Sequence, residues 1–238
     1  MIDTHCHLLP GVDDGPRSVG EALDLARGLV AAGVEVVVCT PHFSRRFPTD
    51  HAVAKERLEM LRGALDEAGI TLRCRLAAEL SSAAALDASP ADLRERQLGN
   101  GYVLVELEPD TPAGLVELAF SRLDELRLVP VFAHPERCRA VRDQPHVLDE
   151  ARGAGALVQV VASSLRGSWG GAVGDAAWRL LDSGRVDLLA SDAHRPRHAG
   201  ARLALVLERI AARVGRDPLV AMTEARPASV IGDASWAR

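Results

Sequence analysis

Residues 184–194 read GRVDLLASDAH: a glycine, a mostly apolar run from Val186 to Ala190, then two metal-competent side chains, Asp192 and His194. The same order recurs along the chain. Gly33 precedes Val34 to Cys39, Gly69 precedes Ile70 to Ala77, and Gly155 precedes Ala156 to Val161. Each glycine suits the left-handed residue that closes a helix, and each run is mostly apolar, as expected of a strand covered on both faces. These are βα units with buried parallel strands. Further strands are expected at Ile2 to His5, Tyr102 to Glu106 and Val129 to Ala133, which makes seven in all.

Helical patterns fill the intervals. Ser18 and Glu21 form a capping box ahead of Ala22, Leu25, Ala26, Leu29 and Val30, expected on one face. Val53, Leu58, Leu61 and Leu65 mark a second face, and Leu115 to Leu126 and Leu203 to Ile210 two more, all expected as core. Seven strands alternating with helices indicate an α/β fold, a closed or distorted (β/α)7 TIM-like barrel, with a doubly wound open sheet as the alternative. No linker breaks the chain, so one domain is expected over 1–238, with short outer helices after Asp217.

The placement of acids and histidines converts this pattern into a site. Residues 1–16, MIDTHCHLLPGVDDGP, end the first strand with His5 and His7, which at i and i+2 share a face. The second strand runs into His42, the third ends at Glu79, the next at Glu106, the next at His134, and the last at Asp192 with His194 beyond it. In (β/α) barrels the carboxyl ends of the strands converge, so scattered positions become one cluster. Each residue alone has an ordinary structural reading, such as a loop cap. Buried together they need cations. Asp13 and Asp14 also suit a turn; one is expected to bind metal and the other to shape the loop.

Composition narrows the partners. A formal net charge of −5 gives no electrostatic reason to expect nucleic acid, no run of basic residues is interleaved with aromatics, and 3% aromatic residues are too few for a stacking platform. No basic leader and no membrane-length apolar run is present, so the cytoplasm is the default location, without membrane insertion. Cys6, Cys39, Cys74 and Cys138 are dispersed, which argues against a thiolate zinc site and a disulfide framework.

The motifs HCHLLPGVDDGP, CTPH, AHPER and SDAH, in this order, resemble those of the bacterial PHP-superfamily tyrosine phosphatases of capsule and exopolysaccharide loci, the CpsB, CapC and YwqE type. The resemblance runs from Met1 to about Ala193 and is expected to continue to the C-terminus. It implies a distorted (β/α)7 barrel, the PHP fold, holding three divalent metal ions. By this resemblance His5, His7, Glu79 and Asp192 hold one ion; Glu79, Glu106 and His134 a second; Asp14, His42 and His194 the third. Manganese is the first expectation, with iron or zinc as alternatives. The implied activity is metal-dependent protein-tyrosine phosphatase, with the C-terminal tail of a bacterial tyrosine kinase as substrate.

Charge counting agrees with that implication. Three divalent ions carry six positive charges and Asp14, Glu79, Glu106 and Asp192 cancel four, leaving about two for a hydroxide nucleophile and an anionic phosphate ester. Arg137, in AHPER, suits a two-pronged phosphate contact. A second arginine is implied after Asp192-x-His194, where Arg195 and Arg197 compete and Arg197 is chosen. The asparagine that the family often has near Val161 is absent.

Other readings stay open. Cys39 and Arg45 have the spacing of cysteine-dependent tyrosine phosphatases, but Pro41 removes a backbone donor and His42 belongs to the metal motif. A related phosphoesterase acting on histidinol phosphate, a nucleotide or nucleic acid ends is the nearest rival. A catalytically silent regulatory binding protein is the other.

Overall fold

The structure is a computed structural model, and it describes residues 1–233. Its parallel strand segments are β1 (Ile2–Cys6), β2 (Val36–Cys39), β3 (His42–Phe43), β4 (Arg73–Leu76), β5 (Glu79–Ser81), β6 (Tyr102–Glu106), β7 (Val129–Ala133), β8 (Leu157–Val161) and β9 (Leu188–Ala190). They pair in the orders β1-β2-β4 and β3-β5-β6-β7-β8-β9. Two seams join these groups into a ring. Pro41 lacks a donor and interrupts the second stave, yet Ala77 N donates to Cys39 O at 2.9 Å and Glu79 N to Pro41 O at 3.1 Å. Segments β2/β3 and β4/β5 are thus two bent staves. At the other seam Cys6 bridges Ala193, with Asp192 N on His5 O at 2.9 Å and His7 N on Ala193 O at 3.1 Å. The expected seven staves close, and the open-sheet alternative is excluded.

Some strands begin later than the apolar runs do, for a local reason. Val34 N donates back to Leu29 O at 3.0 Å and Ile70 N to Leu65 O at 2.9 Å, so these residues still terminate helices. Gly33 at φ +89° and Gly69 at φ +64° make those closures possible. At Ser18 the side chain accepts from Glu21 N at 3.2 Å, while Glu21 reaches back to Arg17 N at 2.8 Å.

Barrel strands divide their side chains between two cores. Val103, Val105 and Phe132 face the helices in the larger cluster. Ile2, Val36, Val38, Leu104, Val131 and Leu188 fill the interior in a second cluster. That inner cluster includes Ala228, Val230 and Ile231 from the helix Arg226–Ile231. The C-terminal helices are therefore not simply outer decoration, as the sequence suggested: their end plugs the barrel floor. Asn100 Nδ2 fastens the plug by donating to Ser229 O at 2.7 Å.

Two helix positions also need correction. In His51–Glu67 the buried stripe is Ala54, Leu58, Leu61 and Leu65, leaving Val53 exposed. In Val19–Ala31 the stripe ends at Leu29, leaving Val30 partly in water. Each lies about one residue, or roughly 100°, off its stripe. All four cysteines are buried and free. No helix among the described residues is long and apolar enough to cross a membrane.

The plug leaves no room at Gly99. A Cβ there would stand 2.8 Å from Ile231 O and 2.9 Å from Ile231 C, both backbone atoms, in a residue already at φ +147°. Gly99→Ala should lower stability by about 1–3 kcal/mol, read by urea unfolding; an unchanged midpoint would show that the plug contributes nothing to the barrel.

Candidate metal centre

The carboxyl ends of the strands bring every expected ligand to one cleft. Glu79, the first residue of β5, is fully buried and central. Its Oε2 lies 3.2 Å from His5 Nε2, 3.2 Å from His7 Nε2 and 3.0 Å from His42 Nδ1. Its Oε1 lies 2.8 Å from His134 Nε2. Asp192 Oδ1 is 3.5 Å from His5 Nε2 and 3.6 Å from His7 Nε2. On the open side Asp14 Oδ1 is 3.2 Å from His194 Nε2 and 3.5 Å from His42 Nε2, and Glu106 Oε2 is 3.7 Å from His42 Nδ1.

These donors form four overlapping groups, each able to surround one ion: His5, His7 and Asp192; His5, Glu79 and His134; His42, Glu79 and Glu106; and His7, Asp14, His42 and His194. Together the groups contain all the metal ligands expected from sequence. The donor set is chemically suited to divalent manganese, iron or zinc, because it offers imidazole and carboxylate and no thiolate. Packing supports the fit as well. Glu79 Oε2 is buried without a well-formed hydrogen bond, although three imidazole nitrogens converge on it. A cation among those atoms would satisfy them together.

Electrostatics also favour positive charge here. Burial and the neighbouring Glu79 carboxylate push Glu106 up to about 7. Burial opposes charging His7, yet Asp13 and Glu79 outweigh it and raise its pKa well above the usual imidazole value. His5 is raised against the same burial cost by Glu79 and Asp192. Burial and then Arg137 lower His134 to about 4, which leaves that imidazole neutral and able to donate a lone pair.

A second layer aims the ligands. Asp13 Oδ2 lies 2.6 Å from His7 Nδ1 and accepts from His42 N at 3.0 Å, so Asp13 orients His7 and shapes the loop while Asp14 joins the donor cluster. Gln159 Oε1 stands 2.8 Å from His5 Nδ1, and its amide donates to Thr4 Oγ1 at 2.9 Å. An irregularity in β1 between Asp3 and Cys6 brings Thr4 and His5 to the same glutamine. Sequence reasoning missed Gln159, although a glutamine within LVQVV was a visible anomaly. His134 at φ +33° and Asp192 at φ +49° hold left-handed backbone conformations, rare outside glycine and concentrated at functional sites.

The cleft has a volume of about 510 Å³, and Arg137 lies at its wall. Arg137 Nη2 donates to Asp192 Oδ2 at 2.5 Å and to Ser163 Oγ at 3.2 Å, leaving its buried Nε without a partner. The structure does not bring Arg197 to this cleft. Arg197 is exposed on the turn Pro196–His198 and is absent from the lining, which instead includes Arg45 and Arg46. Arg195 is occupied with the carbonyls of Gly15 and His194. The chain turns outward at Pro196, so spacing after His194 did not place either guanidinium. Cys39 is fully buried, and its contact with Cys74 and its burial raise its thiol well above the usual value.

Comparison with known proteins agrees with this geometry. The family model described as "Capsular polysaccharide synthesis, CpsB/CapC" matches residues 1–232. The tyrosine-protein phosphatase YwqE of Bacillus subtilis (strain 168) is 31% identical over 199 residues, covering 82% of this chain and 77% of that protein. The putative tyrosine-protein phosphatase CapC of Staphylococcus aureus is 29% identical with the same coverages. A solved chain from the work on Bacillus subtilis YwqE and Streptococcus pneumoniae CpsB, described as unique metal-dependent tyrosine phosphatases, superposes with a TM-score of 0.85 at 26% identity. It covers 98% of this chain and 95% of that one. D-hydantoinase, at a TM-score of 0.60 and 11% identity over 98% of this chain and 71% of that chain, shares the fold alone. With the barrel, the ligand cluster and a family match over almost its whole length, the chain belongs to the CpsB/CapC family.

Proposed function

We propose that this chain is a metal-dependent protein-tyrosine phosphatase acting in the cytoplasm on the C-terminal tail of a bacterial tyrosine kinase that controls capsule or exopolysaccharide synthesis. The observation that carries this reading is the convergence of imidazoles and carboxylates on buried Glu79 beside Arg137. Three ions are proposed: one held by His5, His7, Glu79 and Asp192, one by Glu79, Glu106 and His134, and one by Asp14, His42 and His194, with manganese preferred over iron or zinc. When bound, such ions neutralise phosphoryl charge and activate water for attack on phosphorus.

The protein's own groups bind and orient. Arg137, fixed by Asp192 and Ser163 at the wall of the cleft, would meet a phosphate there with the guanidinium donors that those two bonds leave unused. Asp13 and Gln159 hold the Nδ1 edges of His7 and His5, which reserves both Nε2 atoms for the centre. A phenolate leaving group, with a pKa of about 10, needs less general-acid help than an alkoxide. Aryl phosphates therefore suit a centre without a dedicated acid.

Chelator-treated protein should be inert towards a phosphotyrosine peptide, and manganese, iron or zinc should restore phosphate release. Histidinol phosphate run in parallel separates the rival substrate class, since turnover confined to it would reject the tyrosine phosphatase. In the same assay Glu79→Ala or His5→Ala should lose at least about a thousandfold in rate; wild-type turnover by either would remove the assigned centre.

Metal uptake should release protons and weaken as pH falls. His5 and His7, raised above their ordinary values, and Glu106, at about 7, carry protons that metal must displace, so lower pH strengthens the competitor. Calorimetric titration of manganese in buffers of different ionisation enthalpy at pH 7 would show this; identical heats in all buffers would contradict it. Cys39→Ala should keep activity within about threefold, since a buried, protonated thiol is no nucleophile; a loss of several orders of magnitude in a folded variant would reinstate thiol chemistry.

A further inference from the structure

The chain has only eight aromatic residues, Phe 4, Trp 3 and Tyr 1, and two of them, Phe47 and Trp169, line the metal cleft. Trp169 is 56% exposed, and it is the one aromatic among the large hydrophobic side chains left in water in the described residues. Such exposure forfeits apolar burial unless something else covers the ring. Trp169 is nevertheless held in place. Its Nε1 donates to Ser163 Oγ at 3.2 Å, and the Arg137 guanidinium carbon lies 4.1 Å from its ring centroid. Ser163 also accepts from Arg137 Nη2, so one hydroxyl in the short helix following β8 fixes both side chains. Gly167 at φ +82° and Gly170 at φ +91° shape the turn that carries the indole. Phe47 is stacked on the ligand candidate His42, with centroids 5.3 Å apart and planes 12° apart.

Resting on the phosphatase reading above, we propose that Trp169 determines substrate class: its indole positions Arg137 for phosphate, and its exposed part forms, with Phe47, an aromatic wall that prefers an aryl over an alkyl phosphate ester. Stacking on Trp169 restrains the face of a guanidinium whose hydrogen bonds to Asp192 and Ser163 both leave from Nη2 at one edge. An aryl group entering beside that phosphate would cover exposed indole, while an alkyl group would cover less and gain no ring–ring contact. Phe47 extends the wall from the His42 side.

Non-hydrolysable phosphonates separate this inference from turnover. Calorimetry on the manganese-loaded protein should show phenylphosphonate binding about five- to tenfold tighter than methylphosphonate. Trp169→Ala should reduce that preference to below about twofold and also weaken methylphosphonate, through the loosened Arg137. Trp169→Phe should restore most of both. No preference in the wild type, or an undiminished one in Trp169→Ala, would overturn the proposal. Loss in Trp169→Phe as severe as in Trp169→Ala would trace the effect to the Ser163 hydrogen bond and overturn the stacking. Peptide turnover by wild type is scored separately: its failure would reject the phosphatase while leaving the phosphonate comparison decisive for Trp169.

Discussion

A carboxylate buried at the mouth of a barrel dominates this molecule. Glu79 has no exposed surface, and an isolated ionised carboxylate in such a place is strongly disfavoured. Four imidazoles from different parts of the chain meet it: His5 at the end of β1, His7 just beyond, His42 on β3 and His134 after β7. That meeting requires the staves to converge, which only a closed ring with bent second and third staves achieves. Pro41 and the Ala77–Ala78 break therefore belong to the site as much as to the barrel. They let β3 and β5 turn and pair His42 with Glu79 in register.

Around this cluster, groups outside it fix how its members are presented. Asp13, Gln159 and Ser163 each engage a ligand or Arg137 from behind. An imidazole held at Nδ1 by an acceptor presents its Nε2 lone pair outward, so the second layer selects a tautomer as well as an orientation. The left-handed residues His134 and Asp192 extend the same logic to the backbone. Holding a non-glycine residue there has a conformational cost, which packing and ladder bonds such as Asp192 N on His5 O offset.

Much of this was legible in the sequence because parallel barrels place strand-end residues together whatever their separation along the chain. His5, Glu106 and Asp192 needed only that rule. Gln159 was legible in principle, being the one polar residue in an apolar strand. Arg197 was not, since its direction depends on a turn at Pro196 whose course no periodicity records. The C-terminal plug escaped for a related reason: a short amphipathic helix has the same pattern whether it lies on a barrel or stops its floor, and only contacts such as Asn100 with Ser229 distinguish the two. Val53 and Val30 failed more simply, each lying one position off a buried stripe.

The barrel itself does not specify chemistry, since D-hydantoinase shares the fold at 11% identity. What distinguishes this cleft is how its walls are joined. The candidate metal wall draws His5, His7, His42 and Glu79 from the first three staves, whereas the wall proposed to meet phosphate draws Arg137, Ser163 and Trp169 from the segments after β7 and β8. Asp192 belongs to both, with Oδ1 turned to the His5 and His7 nitrogens and Oδ2 bonded to Arg137. A cation drawing on Asp192 Oδ1 would withdraw charge from the carboxylate that holds the guanidinium. Arg137 would then depend more on Ser163 and the Trp169 ring, neither of which belongs to the candidate donor groups. One carboxylate thus faces both walls of the cleft, and the exposed indole stands at the edge where they meet.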